Sequence, residues 1–61
     1  MNDWWVRPNY RIYNYDVIRH AETGATGSVL CSYAASKRAE VQWDNSVTVT
    51  IEEWEDLEAK R

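Results

Sequence analysis

Short apolar runs broken by turn signals constrain this chain most. Val17-Ile18-Arg19-His20 leads into a loop, Thr23-Gly24-Ala25-Thr26-Gly27, that holds both glycines of the sequence. Ser28-Val29-Leu30 follows, and Glu40-Val41-Gln42-Trp43 closes on Asp44-Asn45. Runs this short, bounded by Gly, Asn and Asp, suit strands and leave no room for the ten or more residues a packed helix needs. The expected fold is a small all-β meander closing into a barrel.

The pass along the chain predicts an extended N-terminal arm over 1–14, a barrel over 15–58 and a short tail over 59–61. Pro8 removes a ladder donor and restricts Arg7, so the arm is expected to hold at most an edge strand near 10–13. Strands are predicted over 15–20, 28–33, 38–43 and 46–51, with a hairpin loop over 34–37, a tight turn over 52–56 and a brief fifth strand at Leu57. Gly24 and Gly27 can take the positive φ that other residues resist. Alternation places Ile18, Val29, Cys31, Val41, Trp43, Val49 and Leu57 in the core.

Sixty-one residues bury a thin core. Cys31 is the only cysteine, which excludes an internal disulfide and a Cys-based zinc site and favours a reducing compartment. No run has the length and apolarity of a membrane span, and the N-terminus does not read as a secretory leader, so the expected location is cytoplasmic. No cofactor is expected.

Adjacent apolar residues in one strand point to opposite faces, so Val17-Ile18 and Val29-Leu30 each leave an apolar side chain outside the barrel. The aromatic arm is the expected cover. A second copy of the chain, as a homo-oligomer, is the other source.

Four Trp and four Tyr with no Phe is a composition of contact surfaces, because these rings join a large apolar body to a polar tip. Trp4, Trp5, Tyr10 and Tyr13 are the expected protein-binding residues, with Trp54 and the acids around it as a second surface. The alternative is nucleic-acid binding through Arg7, Arg11 and Arg19 interleaved with Tyr10 and Tyr13. The formal net charge of −3, with residues 44–61 carrying −4 of it, opposes general polyanion binding.

Other chemistry has thinner support. His20 is the only histidine and is expected half-exposed at a strand end; neither Ser28 nor Cys31 sits on a nucleophile elbow, so the chain does not read as an enzyme. Glu52, Glu53, Glu55, Asp56 and Glu58 match no calcium loop and read as a solvated face. Tyr15, Tyr33, Trp43 and Trp54 are numerous enough for an aromatic cage around a methylated ammonium.

The stretches Asp16-Val17-Ile18-Arg19-His20, Thr23 to Val29, Val41-Gln42-Trp43-Asp44-Asn45 and Glu53-Trp54-Glu55-Asp56-Leu57-Glu58 together resemble the SH3-like small barrels, the group that includes KOW and Tudor domains. The resemblance spans 15–58 and implies a five-stranded SH3-like barrel with no single family or function. The type II dihydrofolate reductases share the architecture and line their pore with Val-Gln-Ile-Tyr. Val49-Thr50-Ile51-Glu52 keeps the apolar positions of that run and lacks the two functional ones, which leaves a barrel lining as its expected role. Size and composition fit a small non-enzymatic interaction module, such as a phage or plasmid accessory protein acting on a host factor.

Overall fold

The computed structural model describes residues 5–6 and 11–60. It is all-β: Trp5–Val6 (β1), Val17–His20 (β2), Thr26–Tyr33 (β3), Arg38–Trp43 (β4), Val49–Glu53 (β5) and Leu57–Lys60 (β6). They form one six-stranded antiparallel sheet in the order β1-β6-β2-β3-β4-β5. The all-β expectation holds; among the described residues no pairing joins β1 to β5, so the sheet has six strands and is not closed into the five-stranded barrel expected from the sequence. The sixth strand lies in the arm, where Trp5 pairs with Lys60 and Val6 with Ala59. Strand β6 runs past residue 58 and buries Ala59, so the expected tail is mostly sheet.

A bulge sets the phase of the long strand. Val29 pairs with Val41 and Cys31 with Glu40, leaving Leu30 as an extra residue between them. This is how Val29-Leu30 is accommodated: a bulge re-aims the residues beyond it, which bends the strand and increases its twist. The segment before β2 is tied to the same place. Tyr15, at φ 70°, donates its N–H to the Val29 carbonyl at 2.7 Å, and Val29 donates to the Asp16 carbonyl at 2.9 Å. That left-handed residue starts β2 at Val17 rather than at residue 15. Residues 11–13 form no strand, and Ile12 is instead buried, its carbonyl accepting from the Ser32 hydroxyl at 2.7 Å.

The glycines differ in what they do. Gly24 has φ +78°, as expected for the turn between β2 and β3. Gly27 lies within β3, where a Cβ would stand 2.5 Å from the Gln42 carbonyl oxygen, so it is required by close approach of β4 and not by positive φ. The 34–37 loop forms as expected, with Lys37 at φ 55°.

The core comprises Ile12, Ile18, Val29, Ala39, Val41, Trp54, Leu57 and Ala59, with Trp43 packed against it. Four expected core residues are therefore buried, Cys31 and Trp43 are half-buried, and Val49 is 41% exposed. The reason is register: Val41 pairs with Thr50 and Ala39 with Glu52, which turns Thr50 and Glu52 inward and Val49 and Ile51 outward. Val49 and Ile51 are consequently no barrel lining.

Trp54 opens a single 3₁₀ turn, Trp54–Asp56, that carries the chain from β5 to β6. Its backbone N–H reaches the Lys37 carbonyl and its indole N–H the Arg38 carbonyl, both at 2.9 Å. A buried indole needs such an acceptor, and the arrangement closes one end of the core. Val41→Ala is expected to lower stability by about 1–3 kcal/mol through lost transfer energy and a partial cavity, while Val49→Ser stays within about 0.5 kcal/mol. Denaturant midpoints of the two variants check the phase of the sheet.

Candidate protein-binding face

Following the pairing outward gives three rows on the outer face. Val17, Ser28, Gln42 and Val49 form one; Cys31, Glu40 and Ile51 another; Tyr33, Arg38 and Glu53 the third. Among their apolar members, Val17, Tyr33, Val49 and Ile51 are exposed, Ile51 at 54%, and Leu30 projects exposed from the bulge beside them. They do not form one continuous patch: the outward residues of β4, Arg38, Glu40 and Gln42, lie between the apolar residues of β3 and those of β5. The polar members are internally engaged. Arg38 Nε donates to Glu53 Oε2 at 2.8 Å, and the Tyr33 hydroxyl is held above the usual phenol range, first by a hydrogen bond with Cys31 and then by the charges of Cys31 and Glu40.

Trp5 covers a different part of this face. Arg19 Cζ lies 4.8 Å from the centre of the Trp5 ring, while Arg19 Nε and Nη2 donate to Glu58 Oε1 at 3.0 and 2.6 Å. Trp5 thus stacks on a cation already paired with a carboxylate. It does not shield Val17 or Leu30, which remain exposed.

The other expected contact residues fall in different places. Tyr13 is exposed and carries the Arg11 guanidinium 5.3 Å from its ring centre. Arg11 itself sits at φ 98°. Trp4, Arg7 and Tyr10 lie outside the described residues. Trp54, expected on a second surface, is only 7% exposed and is a core residue, so it cannot serve as a surface contact. Nor do Tyr15, Tyr33, Trp43 and Trp54 form an aromatic cage: Trp54 is in the core and Trp43 against it, whereas Tyr33 lies on the outer face and Tyr15 is exposed. The acids are likewise not a uniform solvated face, since Glu53 is bound to Arg38, Glu58 to Arg19, and Glu52 turns inward.

The inward end of the sheet holds a polar chain that sequence reasoning missed. Trp43 Nε1–H donates to Thr50 Oγ1 at 2.8 Å, and the Thr50 hydroxyl donates to Glu52 Oε2 at 2.7 Å. The other carboxylate oxygen, Oε1, stands 3.9 Å from His20 Nε2. His20 ends β2 as expected but is more enclosed than the half-exposed residue expected, its side chain 15% exposed, with its ring 6.3 Å from that of Trp43. The signal for this was Thr50 and Glu52 two apart opposite a strand ending in Trp43, whose N–H needs an acceptor when turned inward. No buried side-chain nitrogen or oxygen among the described residues lacks a partner.

Among the described residues no group of three or more His, Cys, Asp or Glu is placed to hold a metal ion, and no helix is long and apolar enough to cross a membrane. The Arg19–Glu58 pair is partly exposed, so Glu58→Gln is expected to cost at most about 1 kcal/mol. That cost should shrink as ionic strength rises, which thermal denaturation in low and high salt checks.

Comparison with known proteins finds no matching family model, no matching curated protein and no matching solved structure.

Proposed function

We propose that this chain is a small non-enzymatic protein-interaction module that binds its partner through the outer face of β3 and β5. The observation that carries the reading is the inversion of β5, which presents Val49 and Ile51 to solvent on the same sheet face as Tyr33, across the polar residues of β4, and turns Thr50 and Glu52 inward. Exposed apolar side chains on β3 and β5, with Arg38, Glu40 and Gln42 of β4 between them and Arg38 paired with Glu53, give a mixed apolar and polar surface of the kind that non-obligate contacts use. Trp5, on the opposite edge strand of the sheet, and the exposed Tyr13 are further aromatic contacts in the proposal. A role as a phage or plasmid accessory protein that adjusts a host factor accords with a module of this size and suits a cytoplasmic setting.

The architecture is read as SH3-like. The order β6-β2-β3-β4-β5, with a 3₁₀ turn returning β6 to the side of β2, supports that assignment. Nucleic-acid binding is the weaker reading. Arg19 is engaged by Glu58 and Trp5, which leaves Arg11 on Tyr13 as the described cation–ring pair of an exposed kind. A single such pair on an acidic chain supplies little phosphate affinity.

Affinity capture with the tagged chain, with and without nuclease, tests the choice. The expected result is a protein partner retained after nuclease and lost on Val49→Ser/Ile51→Ser, with the strand content of the variant unchanged by circular dichroism. A complex abolished by nuclease and by Arg11→Ala, and indifferent to the β5 changes, would reverse the reading in favour of nucleic acid.

A further inference from the structure

We infer that His20 is a proton-operated latch on the turn between β2 and β3. The turn is closed by the main chain at both ends of His20: its N–H donates to the Ala25 carbonyl at 2.8 Å, and its carbonyl accepts from Gly24 at 2.9 Å. The side chain closes it again. Nδ1 of the ring accepts the backbone N–H groups of Glu22 at 3.2 Å and Thr23 at 3.4 Å. Thr23 Oγ1 in turn accepts from the Ala25 N–H at 3.2 Å.

An imidazole nitrogen that accepts carries no proton, so the neutral ring keeps its proton on Nε2, on the side of Glu52. One tautomer therefore serves both ends: Nδ1 holds the turn while Nε2–H faces the carboxylate. Adding a proton reverses the sense of Nδ1 and sets three donors against one another. The Glu22 and Thr23 amides must then turn to water. The opposite edge gains, because an imidazolium is attracted more strongly to Glu52. The protonated ring stays seated, and the Glu22 and Thr23 amides let go of it while the main-chain bonds of His20 to Ala25 and Gly24 remain.

The charged groups around the ring are consistent with this division. Strand β5 brings Glu52 at ion-pair distance, and β4 brings the uncharged Trp43 ring. From β6, Leu57 pairs with His20, and the neighbouring Glu58 is bound to Arg19. The 3₁₀ turn acts through the Asp56 carbonyl, which accepts from the Ala21 N–H at 2.9 Å. Next to the turn, Thr26 donates its hydroxyl to Asp44. Glu22 is exposed and lies in the turn itself.

The test is an NMR titration of the full chain from pH 8 to 5, following the imidazole nitrogens and the backbone amides. The expected result is the Nε2–H tautomer in the neutral ring, with Glu22 and Thr23 amides shifting at the ring's own midpoint. Their exchange protection, corrected for intrinsic rate, should fall about tenfold or more, while Val29 and Val41 stay protected. Two variants separate the ring's edges. His20→Asn places an oxygen near Nδ1 and should hold the turn closed at every pH; His20→Gln reaches toward Glu52 and should leave it open at every pH. An Nδ1–H tautomer, or Glu22 and Thr23 amides that ignore the ring's midpoint, overturns the latch. Because the wild-type titration decides both of those points, misfolding of either variant does not rescue it.

Discussion

The hydrogen-bond chain from Trp43 through Thr50 to Glu52, with His20 beyond it, is the constraint on which the arrangement of this molecule depends. Turning Trp43 against the core buries much of a large ring but also its N–H, and a buried donor without an acceptor costs about 1–3 kcal/mol. Thr50 supplies the acceptor, Glu52 takes the proton of Thr50, and both must then face inward. Alternation does the rest. Once Thr50 and Glu52 are in, Val49 and Ile51 are out, and the apolar surface of β5 becomes available to another molecule.

The same chain joins elements that the sheet does not pair. Strands β2 and β5 are separated in the ladder by β3 and β4, yet His20 and Glu52 face one another across the interior. At the other end, Trp54 anchors the passage from β5 to β6 on the carbonyls of Lys37 and Arg38. Between these two polar anchors lies a small apolar core, two of whose eight members among the described residues are alanines. A domain with so little to bury depends on each polar contact being satisfied, and among the described residues each buried one is.

Much of this could be read from the residues. The turn signals located β2 to β4 within two residues of their bounds, and the 34–37 loop and Gly24 behaved as their types dictate. The failures share a cause. The alternation Val47, Val49, Ile51 looks like a strand with its apolar side inward, and nothing local distinguishes it from one with that side outward; the register to β4 decides. Trp54 among five acids looks like a surface ring until the 3₁₀ turn folds it under the 34–37 loop. Gly27 was legible as a glycine position, but its reason is the neighbouring strand, which sequence does not display. Trp54 was misjudged as a surface ring for this reason, and the exposed side of β5 was not anticipated.

Cysteine accessibility tests the inversion of β5 most directly. In a Cys31→Ser background, Thr50→Cys and Ile51→Cys place a thiol at successive positions of the strand, and adjacent residues face opposite sides. With the native fold verified for each, the account predicts that the thiol at position 51 is modified rapidly by a polar alkylating reagent and the thiol at position 50 is protected until the protein unfolds. Rapid modification at 50 with protection at 51 would contradict it, and would return the apolar side of β5 to the core.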